Sequence, residues 1–363
     1  MATQRIVSFP DVATSGPRSS ASLPKQLVDQ MQGIFGKHPG FRTTHAKGLL
    51  VEGRFTPTEE AKTLSIAAHF NRACTPVVAR FSVGGGLPLV ADVDDGATPK
   101  GVAVRFQIDD NTHTDLISHS FNGFAANTGE GFLAFLKVFG NVGVTGRELN
   151  EAAQRGGDTA KEQAAFGKAQ VDFGAFLGQN EAAARFINSP KPNPHNYGTI
   201  TYYEPNTHVL TNKDGKVTNV RYRLIPTDGE HLYPNNTAAD KAELSKLGRD
   251  YLEDDLKQRF PGKPISFIIQ AHIANPDDVL YDATIPYKST TFVPIGLLEI
   301  NKVSDSNAAR QQLIAFSPNP GKGGVTGIAP SADPLIQTRE GVYKISAGQR
   351  RNEVQERPVA HKL

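Results

Sequence analysis

Two short segments near opposite ends of the chain carry residue types able to do chemistry. The first is Arg42-Thr43-Thr44-His45-Ala46-Lys47-Gly48, just ahead of a strand-like run. The second is Arg339-Glu340-Gly341-Val342-Tyr343, followed by Gln349-Arg350-Arg351. An imidazole titrates near neutral pH, so it can accept a proton and return it. A tyrosine four residues after an arginine lies one helical turn from the guanidinium, which favours the phenolate. Taken singly, each segment is weak. A lone histidine before a strand is more often structural, and an Arg-x-x-x-Tyr pair on a helix usually means packing or a solvated face.

Other signatures are missing. The sequence has no GxxxxGK[ST], HExxH or GxSxG pattern. The Gly84–Gly86 run precedes Leu-Pro-Leu-Val and reads as a turn between strands. The ten histidines are scattered without metal-ligand spacing. His69, His113, His195 and His208, taken alone, read as ordinary surface or satisfied histidines.

The elements that must position the two segments are legible in part. GLLVEGRFT, PVVARFSVG and KGVAVRFQID are strand-like runs with β-branched and aromatic residues and nearby Gly or Pro. PTEEAKTLSIAAHF, between the first two, predicts a short helix with Leu64 and Ala68 on one face. Residues 129–188 are helical in character, with glycine interruptions. Residues 198–226 read as strands joined by turns, with Asp214-Gly215 as a turn signal. KAELSKLGRDYLEDDLKQRF sets Leu244, Leu247 and Tyr251 at helical spacing. ISFIIQAHIAN and TTFVPIGLLEI are further strands, and the chain from 304 to about 332 is loop-rich. Strands mixed with separate helical blocks, without βαβ alternation, predict an antiparallel α+β domain. Residues 1–23, rich in Ser, Pro, Ala and Thr, are expected to be a loose arm. Residues 24–351 are expected to form one domain and 352–363 a tail.

Composition narrows the classes. With 363 residues and 38% hydrophobic content the chain can bury a sizeable core. A formal net charge of +2 gives no reason to expect nucleic-acid binding. The single cysteine, Cys74, excludes an internal disulfide and any multi-cysteine zinc site. No run of about 18 apolar residues occurs, and the N-terminus lacks an apolar signal core, so the expected location is cytoplasmic with no membrane span.

Taken together, the two segments resemble the catalase family, whose distal motif is Arg-x-x-His-Ala-Lys-Gly and whose proximal motif is Arg-x-x-x-Tyr. Pro76–Ser82 (PVVARFS), Lys100–Phe106 (KGVAVRF) and Gly327–Tyr343 (GIAPSADPLIQTREGVY) resemble three further family signatures, in the right order. The resemblance covers roughly residues 20–351. It implies an α+β fold built on a catalase-like antiparallel β-barrel with flanking helices, and a bound haem, expected as ferric haem b. The proximal iron ligand it implies is Tyr343, with Arg339 favouring the phenolate and Asp333 supporting that arginine. It implies that His45 shuttles the proton of a bound hydroperoxide, that Ser82 hydrogen-bonds its imidazole, and that Arg42, Arg80 and Arg350 hold the haem propionates. Phe132 is expected near the haem. The chain ends just after the proximal segment and so resembles the small, catalase-related peroxidases, with a homodimer as the expected assembly.

Three positions leave the family pattern. Thr44 replaces a valine, and its hydroxyl is expected to hydrogen-bond the imidazole. The same residue is found in catalase-like allene oxide synthases and related fatty-acid-hydroperoxide enzymes. Aligning Asp115-Leu116-Ile117 puts His119 where the distal asparagine usually stands, as a second base or facing away; a small gap would bring Asn122 there instead. Ile200 stands where the family usually has a histidine of the proximal relay. The expected function is a haem-dependent peroxidase acting on hydrogen peroxide or an organic hydroperoxide through a ferryl intermediate, with an organic reductant as a further partner. The alternatives are a fatty-acid-hydroperoxide lyase, isomerase or allene oxide synthase, and a non-catalytic haem-binding barrel.

Overall fold

Strands form where apolar side chains alternate with polar or small ones. In Gly48–Pro57, Leu49, Val51 and Phe55 join one buried cluster while Glu52 and Arg54 turn away from it. The computed structural model describes residues 21–234 and 237–356, with side chains through residue 353. In chain order the elements are α1 (Leu23–Phe35), β1 (Gly48–Pro57), α2 (Glu59–Leu64), α3 (Ala68–Asn71), β2 (Thr75–Ser82), β3 (Gly101–Gln107) and β4 (His113–His119). Then come α4 (Gly129–Arg155), α5 (Ala160–Gln179), α6 (Glu181–Asn188), β5 (Asn193–Pro194), β6 (Tyr202–Thr211), β7 (Val217–Pro226) and β8 (Leu232–Tyr233). The last group is α7 (Ala238–Leu244), α8 (Tyr251–Arg259), β9 (Ile265–Ile273), β10 (Phe292–Val303), α9 (Asn307–Leu313), β11 (Ile328–Pro330) and α10 (Pro334–Glu356).

Eight strands close into an antiparallel barrel in the order β6-β4-β3-β2-β1-β10-β9-β7, with β7 returning to β6; β11 adds to β6, and β5 pairs with β8 apart from the barrel. The expected α+β barrel with flanking helices is thus the observed fold. Its interior holds Phe55, Phe81, Phe106, Tyr202, Leu224 and Phe267 in one hydrophobic cluster. The seam between β4 and β6 is narrow. They pair at His119 opposite Tyr203, and the Ile117 N–H donates to a side chain, Glu204 Oε2, at 2.7 Å.

A second core lies outside the barrel, where Leu27, Met31 and Ile34 of α1 meet Leu133, Phe135 and Leu136 of α4. At Gly140 a Cβ would come within 2.4 Å of Ile34, so glycine lets α1 cross closely here. In this helical layer α10 also packs against α1.

Several local expectations change in the fold. The helix expected over 57–70 breaks into α2 and α3. Ser65 Oγ donates to Gly327 O at 2.6 Å and accepts from Ala67 N, while Ile66 N donates to Thr211 O, so tertiary bonds replace helical ones. The pattern over 241–260 likewise splits into α7 and α8, and the Leu252 N–H at the start of α8 donates to Asp92 Oδ2 at 2.9 Å. Conversely, α4 runs unbroken through Gly140, Gly143 and Gly146. Residues 1–20 of the expected arm lie outside the described residues, and Leu23 already opens α1. Helix α10 continues to Glu356, past the boundary expected at 351.

Phe267 is fully buried, with its ring 5.8 Å from Tyr202 and 6.4 Å from Phe81. Phe267→Ala is expected to lower unfolding stability by about 3–5 kcal/mol. Denaturant titration checks this, and a loss below about 1 kcal/mol would mean that the barrel interior is not the dominant core.

Candidate active site

Residues directly opposite each other on neighbouring antiparallel strands share a face. Gly48, Ser82, Gly101 and His119 pair successively across β1, β2, β3 and β4. Their chain neighbours Leu49, Phe81 and Val102 fill the barrel, so this row lies on its outer wall. The loop before β1 folds His45 onto that row. A Cβ on Gly101 would lie 3.0 Å from His45 Cε1 and 3.0 Å from Ser82 Oγ, so the missing side chain is the space the imidazole occupies.

His45 has φ 52°, a left-handed conformation unusual for a residue with a side chain. Arg80 holds it there. Its Nη1 donates to His45 O at 2.9 Å, Nη2 to Ala46 O at 3.0 Å, and Nε to Gln311 Oε1 at 2.7 Å. His45 Nδ1 meets Ser82 Oγ at 3.1 Å, which leaves Nε2 for other partners. The hydroxyl at the ring is therefore that of Ser82, as expected, and not that of Thr44; the neighbouring Thr43 donates to Ser346 Oγ. Burial, and then the nearby Arg80 charge, pushes His45 down to about 4, so it is neutral at physiological pH.

His119 stands two strands from Ser82 in the same row. Its ring donates Nε2–H to Gly123 O at 3.0 Å, a carbonyl being able only to accept. Burial pushes it down to about 3, and the proximity of His45 adds to this. Of the two distal alternatives, His119 is the one beside His45. Asn122 is exposed and lines a cleft with Tyr203, Arg223 and Tyr287. Phe121 and Phe124 lie 6.3 and 6.5 Å from the His119 ring, and Phe124 leads to Phe132 at 4.8 Å on α4.

Helix α10 faces this wall. The Arg339 guanidinium lies 5.9 Å from the centre of the Tyr343 ring, as the one-turn spacing predicts. Arg339 Nη1 also donates to Asn206 Oδ1 and lies 3.5 Å from Glu204 Oε1. Asn206 Nδ2 in turn donates to Asp333 Oδ2 at 2.7 Å. Asp333 thus supports Arg339 through an asparagine rather than by direct contact. Burial works against the charge on Arg339, but Tyr343 and then Glu204 outweigh it and raise its pKa above the usual value. Glu204 and Asn206 were not identified from sequence. In TYYEPNTH they look like ordinary strand positions, and only the α10 packing reveals them.

Arg42, Arg80 and Arg350 form a third group. Arg42 donates to Gln311 O and Ile314 O, and Arg350 donates to Ile314 O and Ser346 Oγ. Arg350 Nε is buried without a partner. Burial and mutual repulsion hold Arg42 well below its usual value, and burial first pushes Arg80 to about 9 and Arg350 to about 10. No carboxylate forms an ion pair with these three among the described residues. Arg42, Arg80 and Arg350 so arranged call for an anionic group. His45, His119, Arg42 and Arg339 lie deep within the protein yet keep solvent-accessible surface, and they act electrostatically on one another. These four groups therefore lie within electrostatic reach of one another. A flat group bearing two carboxylates and a metal that takes an oxygen donor, as haem does, fits this donor set.

The Gly101 gap yields a direct test. Gly101→Val is expected to displace the His45 ring and lower peroxide turnover by about 100-fold, on the scale of a lost acid–base group, while the barrel still folds. Steady-state kinetics with a thermal unfolding control checks this; an unchanged rate would show that the imidazole is not positioned by this row.

Comparison with known proteins agrees with these features. The catalase family model matches residues 14–356. A catalase-related peroxidase from Mycolicibacterium paratuberculosis is 30% identical over 329 residues, covering 90% of this chain and 95% of that protein. One from Synechococcus elongatus is 28% identical over 351 residues, covering 96% and 95%. Catalase A from Saccharomyces cerevisiae superposes with a TM-score of 0.68 at 20% identity, over 98% of this chain and 69% of the yeast chain. A fungal catalase gives the same TM-score over 98% and 66%, so the chain spans about two thirds of the length of these larger catalases. With a barrel of this topology, a histidine on its outer wall, an arginine–tyrosine pair on the facing helix and a family match over nearly its whole length, the chain belongs to the catalase family.

Proposed function

We propose that the protein is a haem-dependent peroxidase that acts on hydrogen peroxide or an organic hydroperoxide. The observation that carries this reading is a neutral His45 within electrostatic reach of Arg339, whose guanidinium lies against the Tyr343 ring. Tyr343 would ligate the iron of ferric haem b, and Arg42 and Arg350 would hold its propionates. Arg80, whose three nitrogens are engaged by His45 O, Ala46 O and Gln311, acts chiefly by shaping the His45 loop. When bound, haem supplies the redox equivalents for heterolysis of the peroxide O–O bond.

The protein's own groups supply the proton chemistry. With Nδ1 at Ser82, His45 Nε2 takes the hydroperoxide proton and returns it to the departing oxygen, so that water or an alcohol leaves. A free tyrosine with pKa near ~10 would need about 4 kcal/mol to ionise at pH 7. The Arg339 charge and the metal offset that cost. His119 presents its Nδ1 lone pair as a second base, because Nε2–H is committed to Gly123.

The aromatic flank of His119 favours an organic hydroperoxide as substrate, since Phe121 and Phe124 offer apolar surface where hydrogen peroxide needs none. The rearranging alternatives, a fatty-acid-hydroperoxide lyase, an isomerase or an allene oxide synthase, leaned on Thr44 meeting the imidazole, and that contact belongs to Ser82. Among the described residues no helix is long and apolar enough to cross a membrane. A cytoplasmic homodimer served by an organic reductant remains our working description of the assembly.

Three outcomes test the function. The purified protein should show a Soret band and consume a reducing donor with both peroxide classes. Product analysis that found only rearranged or cleaved lipid, with no alcohol, would replace the peroxidase by a lyase or isomerase. Intact haem with no turnover would indicate a binding barrel. His45→Ala is expected to lower kcat/KM for peroxide by about 100–10,000-fold with haem retained. The pH profile follows from the depressed imidazole: the proton-accepting form persists down to about pH 4, so the acid limb of kcat/KM should fall near 4 rather than near 6.5. The sign for stability is the same. Between those values the unfolded chain binds a proton that the folded one does not, so the His45 contribution to stability is lost as pH falls through that window.

A further inference from the structure

Beside Arg339 lies a carboxylate that the proposed reaction leaves without a task. Glu204 of β6 is 3% exposed. One of its oxygens accepts from Ile117 N at the barrel seam, and the other lies 3.5 Å from Arg339 Nη1. The same nitrogen serves Asn206, which ties it to Asp333. His208 of β6 and Tyr222 of β7 stand close by, their rings 5.0 Å apart. Neither His208 nitrogen nor Tyr222 Oη has a hydrogen-bond partner, so neither competes for the guanidinium. A cleft of about 60 Å³, lined by Glu204, Tyr222, Tyr203, Arg223, Tyr287 and Phe292, brings the surroundings of the barrel's outer side up to this carboxylate.

We propose that Glu204 is a positioning residue that divides the charge of Arg339 between itself and the Tyr343 phenolate, and thereby sets how strongly Tyr343 donates to iron. This rests on Tyr343 being the ligand. A guanidinium carries one positive charge, and in a low-dielectric interior that charge is shared among the anions in reach. An ionised Glu204 draws the fork toward β6 and withdraws stabilisation from the phenolate. The phenolate is then the stronger donor and favours the ferric over the ferrous state. A neutral Glu204 leaves the charge to Tyr343, and the ferrous state becomes easier to reach.

Burial raises Glu204 to about 7, with Arg339 as the largest opposing influence, so its charge changes around neutrality. Around the same cleft stand the cations Arg221 and Arg223; burial raises Tyr203 and Tyr287 and lowers His272 below the ordinary imidazole value. Burial pushes His208 to about 3 and raises Tyr222 far above neutrality. Burial also raises Asp333, but that residue reaches Arg339 only through Asn206.

The test compares the full-length, haem-loaded wild type with Glu204→Gln and Glu204→Asp. Absorption spectra, haem content and the ferric–ferrous midpoint potential are measured from about pH 5 to about pH 9, a range that spans the ordinary and the raised carboxylate values. Glutamine keeps the acceptor for Ile117 N, so the spectrum and haem content should match wild type. The expected result for Glu204→Gln is a shift of at least tenfold in the redox equilibrium toward ferrous iron near pH 9, about 59 mV for one electron. The wild-type potential should rise as pH falls through about 7. That step should vanish in Glu204→Gln and persist in Glu204→Asp. A glutamine variant with wild-type spectrum and wild-type potential at every pH overturns the proposal and leaves Tyr343 ligation standing. A wild-type potential without a step near neutrality overturns it without any variant. Tyr343→Phe is run in parallel: an unchanged spectrum and haem content there would instead remove the ligand reading on which the proposal rests.

Discussion

The enclosure of positive charge between the barrel wall and the C-terminal helix is the constraint on which the site depends. Arg42, Arg80, Arg339 and Arg350 crowd one recess, and the first, second and fourth lack a carboxylate partner among the described residues. Such charge is costly in a low-dielectric interior unless anions join it. Burial first, and this field after it, keeps His45 and His119 neutral, because protonating either would strand a charge away from water and add to the repulsion. One electrostatic arrangement therefore invites an anionic group and leaves the His45 imidazole in its neutral form.

The barrel makes this possible by offering a rigid outer surface. A row of paired residues runs across four strands; Gly101 in it leaves room for the His45 ring, and Gly48 lets the Arg80 guanidinium and the Phe81 carbonyl come close. Arg80 fixes the unusual backbone of His45 from a neighbouring strand position, so the imidazole is held by the sheet although it lies on a loop. Helix α10, packed against α1, presents Arg339 and Tyr343 one turn apart. Residues nearly three hundred positions apart in sequence thus share one space.

The proximal side is built differently from the distal side. Two carboxylates serve one arginine there, Glu204 by direct ion pairing and Asp333 through Asn206. Glu204 also closes the seam where β4 and β6 pair at a single position, so a structural bond and an electrostatic influence reside in one side chain. The joint where β4 and β6 share a single residue pair thus lies next to the Arg339–Tyr343 pair.

The sequence by itself determined the class of strand and helix, the pairing of Arg339 with Tyr343 and the candidacy of His45, Ser82 and the arginines. These are local properties: alternation, helical spacing and residue type survive in a linear reading. It could not decide whether His119 or Asn122 belongs beside His45, because that depends on which strand register closes the barrel. It could not show Ser82, rather than Thr44, against the imidazole, since the loop's left-handed turn chooses which hydroxyl the ring meets. Nor could it single out Glu204 and Asn206 among ordinary strand residues. Their roles arise from an ion pair and a hydrogen bond to a helix more than 130 residues away, and contacts at that separation are created only when the sheet closes and α10 docks on it.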